Sequence, residues 1–169
     1  MGQQVIINVG VSGSGKSTWS TEYIKNNIGN YRINRDSIRE QLVGTLDGYY
    51  QRKDVTYLEK LVTNMEEISF VNMLGEGASI IVDNTNLKPS YIQKWVDFVQ
   101  AWNEDLPDFR KVAVRFKLFP ESNAELLKKR VNIRDAPLGW DKLNYIDKQV
   151  SSIRSAIAYV EDNYKDQIL

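Results

Sequence analysis

The chain has 169 residues, 22 basic against 22 acidic, with 42% hydrophobic and 26% charged positions, which suits one soluble globular domain rather than two. It contains no histidine and no cysteine. That excludes a histidine general base, a Ser-His-Asp triad, thiolate zinc sites, a cysteine nucleophile and disulfides, so any proton acceptor is a carboxylate, lysine, tyrosine or water. The balanced charge argues against gripping long duplex by charge alone and leaves local Arg and Lys clusters as the route to a nucleic-acid end. No run of about 18 apolar residues is present, so no transmembrane helix is expected. The first strand begins almost at once, which leaves no expected room for a signal peptide. The absence of cysteine fits a reducing, cytoplasmic setting.

Val5 to Val9 is a short, β-branched apolar run, the pattern of a buried strand. Gly10-Val11-Ser12-Gly13-Ser14-Gly15-Lys16-Ser17-Thr18 follows it and reads G-x-x-x-x-G-K-S, a phosphate-binding loop. Thr18 to Ile28 then has helical spacing, with Trp19, Tyr23 and Ile24 on one side. Strand, glycine-rich loop and helix in that order form the setting in which backbone N–H groups converge on a triphosphate at a helix N-terminus. In this loop Lys16 places a point charge at the β/γ-phosphates, and Ser17 offers its hydroxyl to Mg²⁺.

Asn30 to Asn34 reads as a second strand, and Asp36 or Ser37 as the cap of a helix through Ile38 and Leu42. Gly44 to Lys53 is a loop carrying Tyr49 and Tyr50, which either stack on bases or pack the loop. A long helix is expected from about Asp54 to Leu74, its apolar stripe running through Leu58, Leu61, Val62, Met65, Ile68 and Val71, with Gly75 and Gly77 as its stop. Ala78 to Val82 is a third strand, ending in Asp83-Asn84-Thr85-Asn86. Pro89 and Ser90 start a helix that turns Ile92, Trp95, Val96 and Val99 inward. A strand from Val112 to Leu118 and a short helix through Leu126, Leu127, Arg130 and Val131 come next. Ala136 to Gly139 is a loop, and a last helix from Trp140 carries Ile146, Val150, Ile153, Ile157 and Val160.

Strands alternating with helices imply an α/β fold: a parallel sheet of about four strands flanked by helices, with a helical lid, in a single domain over residues 1–169. Ligands of such sheets bind beyond the carboxyl ends of the strands. Gly10, Asp36 and Asp83 each follow a strand end, so three polar clusters meet at one edge. Asp83 has the shape of a strand-end acid holding the Mg²⁺ shell through water, or of a turn residue. Asn84 to Asn86 offer donors to phosphate or form a turn. Asp36 is a general-base candidate or a plain cap, and Arg39 lies one turn on, on the same face. Arg130 and Arg134, at i and i+4 with Lys128 and Lys129 nearby, form an arginine lid over the phosphates or a solvated basic face.

Together these blocks resemble the kinase domain of the bacteriophage polynucleotide kinase-phosphatase family. The matching stretches are Gly10 to Trp19, Tyr31 to Arg39, Ile80 to Leu87 and Leu127 to Arg134, through about the first 135 residues. The loop block is shared by many enzymes; the N-R-D-x-x-R and acidic strand-end blocks are more specific. The resemblance implies that Asp36 is the general base, that Arg39 binds the acceptor's phosphate, that Lys16 and Ser17 serve the donor phosphates and metal, and that Arg134 belongs to a lid over the donor. The expected set is therefore Asp36, Lys16 and Arg134 as catalytic residues and Ser12, Gly13, Ser14, Gly15, Lys16, Ser17, Thr18, Arg130 and Arg134 around ATP. Arg39, Thr85 and Arg35 would lie on the acceptor side, with Ser17 and, through water, Asp83 for Mg²⁺. The chain departs from the family in two ways. It has no D-x-D-G-T phosphatase motif, so no 3′-phosphatase activity is expected. Its Asp83 to Asn86 block is one residue longer than the D-T-N pattern, which leaves open whether Asn84 or Thr85 takes the place of the family threonine.

The expectation is an ATP-dependent (or other purine NTP-dependent) kinase acting in the cytoplasm, of an infected host cell if phage-encoded, on the 5′-OH end of DNA or RNA. Relatives that phosphorylate hydroxymethyl pyrimidines in phage DNA, a small-metabolite kinase, and a non-catalytic NTP-binding module are the alternatives.

Overall fold

The computed structural model describes residues 2–134 and 143–169, with the side chain of Arg134 outside that description. The expected loop 136–139 and the start of the last helix at residue 140 lie outside the described residues.

Among the described residues four strands, β1 (Gln4–Gly10), β2 (Asn30–Ile33), β3 (Ser79–Val82) and β4 (Ala113–Phe119), form one parallel sheet in the order β2-β3-β1-β4. Val5, Ile6, Ile7, Ile80, Ile81 and Val82 are all buried. That is why β1 and β3 read as unbroken apolar runs rather than alternating ones: both faces of these central strands are covered. The register pairs Ile7 with Val82 and Val82 with Ile33, so β2 and β3 end level, while β1 runs on beside β4 to Gly10. The residues just past those ends therefore share one edge.

Among the described residues six helices connect and cover the sheet: α1 (Lys16–Asn26), α2 (Arg35–Val43), α3 (Val55–Gly75), α4 (Pro89–Asn103), α5 (Ala124–Arg134) and α6 (Tyr145–Tyr164). On one face Asn8 of β1 donates to Ser20 Oγ of α1 at 2.9 Å. On the other, Phe116 of β4 stacks on Tyr164 of α6 with ring centroids 5.0 Å apart, and the hydroxyls of Tyr159 and Tyr164 both donate to Gln93 Oε1 of α4. Helix α4 meets α3 through Phe70 and Trp95, rings 4.9 Å apart and both buried. Truncating either to alanine would cost about 3–5 kcal/mol.

Two local expectations are corrected. The cap of α2 is Asn34, whose Oδ1 accepts from Ser37 N at 3.0 Å; neither Asp36 nor Ser37 caps the helix. Asn34 lies one residue before the first helical turn with extended backbone, the geometry a cap requires, whereas Asp36 already lies inside the turn. On α3 the inward stripe is Leu58, Val62, Glu66, Phe70 and Leu74, a strict i, i+4 row, while Ile68 and Val71 face outward. An acidic residue takes a core position on this helix because partners for its carboxylate wait there.

Candidate functional site

The loop Gly10 to Lys16 leaves β1 and enters α1 through Gly15, which caps the helix at φ 96, a left-handed conformation that favours glycine. Gly10 N donates to Thr85 O at 3.0 Å, tying the loop to the exit of β3. Lys16 Nζ donates to Val11 O at 2.7 Å, so the lysine is folded back over its own loop. At Gly13, with φ +79, an added Cβ would lie 2.9 Å from Leu127 O and 3.1 Å from Val131 Cγ2. Helix α5 thus rests directly on the phosphate-binding loop. Arg130 of that helix donates to Gly13 O at 3.4 Å. The backbone of Arg134 closes α5. Ser12 N donates to Gln149 Oε1 of α6 at 2.8 Å, and Lys128 of α5 pairs with Asp147 of α6 at 2.8 Å. Ser17 and Thr18 open α1 on its exposed side.

Asp83 sits at the bottom of the same edge, 1% exposed. Its Oδ1 accepts from Asn8 Nδ2 at 3.0 Å, and Arg32 Nε is 3.4 Å from its Oδ2. Asp83 Oδ2, Asn8 Oδ1 and Ser14 Oγ are buried and have no hydrogen-bond partner among the described residues. Asp83 Oδ2, ion-paired with Arg32 but without a hydrogen bond, and the buried Asn8 Oδ1 and Ser14 Oγ leave acceptor capacity that something polar would fill, such as a hydrated cation and the groups it carries. Asn86, at φ 48, donates from Nδ2 to Asn8 O at 2.8 Å and holds the β3 exit against β1.

Beside this lies a second half, built on α2 and α3. Asp36 Oδ1 accepts from Arg39 Nη1 at 2.6 Å; the Asp36 side chain is 57% exposed, and its Oδ2 has no hydrogen-bond partner among the described residues. Arg39 also donates from Nε and Nη2 to the two oxygens of Glu59, at 2.8 and 2.9 Å. A guanidinium has five N–H groups in a fixed fork. Three are engaged here, so one N–H on each Nη remains, the pair that grips a phosphate with two parallel bonds. Burial works against the charge of Arg39, but its hydrogen bonds to Glu59 and the nearby negative groups outweigh it and raise its pKa further. Glu59 also accepts from Arg35 Nη2 at 2.9 Å and from the Tyr49 hydroxyl at 2.8 Å. The bond from Arg39, ahead of those from Tyr49 and Arg35, holds its carboxyl down to about 2.

Arg35, expected on the acceptor side, donates to Glu59, Glu66 and Thr63, at 2.9, 3.0 and 3.2 Å. Asn84 accepts from Arg35 N at 3.1 Å and donates to Glu66 Oε1 at 2.6 Å. Both ends of its amide are thus engaged in the frame, whereas the Thr85 hydroxyl has no hydrogen-bond partner among the described residues. Of the two loop tyrosines, Tyr49 is fully buried and Tyr50 is 64% exposed, with the Arg39 guanidinium 5.6 and 5.7 Å from their ring centres. Only Tyr50 has a face left for a ligand.

Glu59, Glu66 and Gln149 were not singled out from the sequence. Glu66 carried a signal, an acid in register with Val62 and Phe70 at i, i+4. Glu59 and Gln149 carried none, because their partners lie far off in the chain, on α2 and in the phosphate-binding loop.

The sequence pattern of a family described as an AAA domain matches residues 5–153. Over 110 residues the chain is 32% identical to a protein of Autographa californica nuclear polyhedrosis virus assigned as a bifunctional polynucleotide kinase/RNA ligase, covering 60% of this chain and 15% of the viral one. A chain in the structure of the Pnkp1/Rnl/Hen1 RNA repair complex superposes with TM-score 0.71 at 26% identity, covering 92% of this chain and 45% of that one. The chain thus spans less than half the length of these relatives. Deoxyadenosine kinase from M. mycoides with bound dATP superposes with TM-score 0.51 at 15% identity, a likeness of fold alone. No helix among the described residues is long and apolar enough to cross a membrane.

Proposed function

The chain belongs to the AAA domain family, and we propose that it is a single phosphotransferase domain that moves the γ-phosphoryl group of ATP to the 5′-hydroxyl end of a nucleic acid. One observation carries the reading: the Asp36–Arg39 pair, locked on Glu59 yet with Asp36 Oδ2 and two Arg39 N–H groups free of partners among the described residues. A binding module needs the phosphate loop but not this second half. The relationship to proteins named for polynucleotide kinase activity and RNA repair supports a nucleic-acid acceptor.

In this reading Asp36 Oδ2 takes the proton of the attacking hydroxyl, a contribution of about 10²–10⁴-fold. Arg39 binds the phosphate on the 3′ side of the terminal nucleotide and fixes the hydroxyl in line. The Thr85 hydroxyl joins the acceptor side, and Arg35 acts through Glu59 and Glu66 as part of the frame. The N–H groups of Gly13 and of Gly15 to Thr18, with the Lys16 side chain, hold the donor phosphates, while those of Ser12 and Ser14 are engaged by Gln149 Oε1 and Val11 O; Arg130 and Arg134 lie on the lid helix. The donor set also fits Mg²⁺: Ser17 offers a hydroxyl, and Asp83 Oδ2, ion-paired with Arg32 but without a hydrogen bond among the described residues, suits a water of a metal shell. When bound, the ion would offset charge on the donor phosphates.

The test is transfer of labelled γ-phosphate from ATP to a 5′-OH oligonucleotide, run beside a 5′-phosphorylated duplex carrying 5-hydroxymethyluracil. The reading expects label on the 5′ end only. Label on the modified base alone, or none while ATP binds, overturns it.

A further inference from the structure

A shallow, wide-open groove of about 500 Å³ runs along the first half of α3, lined by Val55, Thr56, Glu59, Lys60, Thr63 and Asn64, all on that one helix. It is continuous with the second half of the site, because Glu59 and Thr63 line the groove and also hold Arg39 and Arg35. From residue 55 to residue 64 the helix advances roughly 13 Å. Stacked nucleotides advance about 3.4 Å each along a strand, so the groove is long enough for more than one.

Its charge is also suited to a strand. The carboxylate of Glu59 is neutralised by two arginines. Lys60 makes no ion pair among the described residues and is exposed. Lys60 is therefore the uncompensated charge of the groove, with the Thr56 hydroxyl and the Asn64 amide beside it as further polar groups. Apolar stems of these side chains supply the rest of the wall, which gives contact without reading sequence.

We propose that this groove is a subsite for the second nucleotide of a single-stranded acceptor, with Lys60 meeting the phosphate that follows it. The proposal rests on the 5′-end kinase reading above. It predicts that the acceptor is held beyond its reacting nucleotide, and that this hold acts on binding rather than on the chemical step.

The experiment compares a nucleoside 3′-phosphate, a 5′-OH dinucleotide with a 3′-phosphate, and an octanucleotide, each with saturating ATP. For the unaltered protein, KM should fall about tenfold from the first acceptor to the second, with kcat within about twofold, since one phosphate contact to a cation of this kind amounts to roughly that factor. Lys60→Ala should erase that fall, and Lys60→Arg should restore it. The mononucleotide, which does not reach the groove, should keep its constants in both variants. A KM independent of length, or a Lys60→Ala defect equal on all three acceptors, overturns the subsite while leaving the kinase reading in place. Transfer to none of the three overturns both.

Discussion

Replacing Glu59 by glutamine is the sharpest test of how the acceptor half is held. Oε1 accepts from Arg39 Nε and the Tyr49 hydroxyl, and Oε2 from Arg39 Nη2 and Arg35 Nη2. A glutamine keeps one acceptor oxygen, so at best two of these four bonds survive. Its NH₂ group then faces guanidinium N–H donors with nothing to accept them. Each lost charge-assisted bond is worth about 1.5–3 kcal/mol. Allowing for partial solvent screening, the variant should lose about 2–3 kcal/mol of stability, roughly 5–10 °C in Tm for a domain of this size. The pH profile carries a further signature. The carboxyl of Glu59 is held down to about 2 from an ordinary value of 4.5, so its contribution is full above pH 4.5 and is lost as pH falls toward 2. The gap between the two proteins should therefore be constant from neutral pH to about 4.5 and close below it. In kinetics at a temperature where both are folded, acceptor KM should rise at least tenfold while ATP KM stays within about twofold. An unchanged acceptor KM, or a stability gap that persists unaltered to pH 2, would refute the reasoning.

Two further outcomes follow from backbone geometry. Gly13→Ala adds a Cβ 2.9 Å from Leu127 O at φ +79, which costs about 1–2 kcal/mol in backbone strain alone and displaces α5; ATP affinity measured by calorimetry should fall at least tenfold. Asn86→Ala removes a buried bond to Asn8 O from a residue at φ 48 and should cost about 1–3 kcal/mol in urea unfolding, with Asn86→Gly intermediate because it relieves only the backbone term.

Much of this arrangement was legible in the sequence for a physical reason: buried parallel strands must be unbroken apolar runs, and a phosphate loop must be glycine-rich between a strand and a helix. Val5 to Lys16 satisfies both, and the polar residues after Val82 and Ile33 then had to share an edge. What stayed hidden depends on partners distant in the chain. Glu59 is one exposed-looking acid among several on α3 until Arg35 and Arg39 of α2 are set against it. Glu66 broke the apolar stripe, and reading Ile68 and Val71 as inward followed from counting hydrophobics rather than asking which row kept strict i, i+4 spacing. The cap of α2 lies two or three residues before the expected Asp36 or Ser37 because Asn34, Asp36 and Ser37 are all good caps, and only backbone conformation chooses among them. Tyr49 and Tyr50 are adjacent and alike in sequence, yet one is a buried strut to Glu59 and the other an exposed ring.

The central claim, that Asp36 and Arg39 form the acceptor half of a kinase site facing an ATP loop, is tested most directly by Asp36→Asn. Phosphoryl transfer to a 5′-OH oligonucleotide and ATP binding are measured on the same preparation. The account predicts that transfer falls by about 10²–10⁴-fold while ATP affinity stays within about twofold. Transfer at the unaltered rate would contradict it.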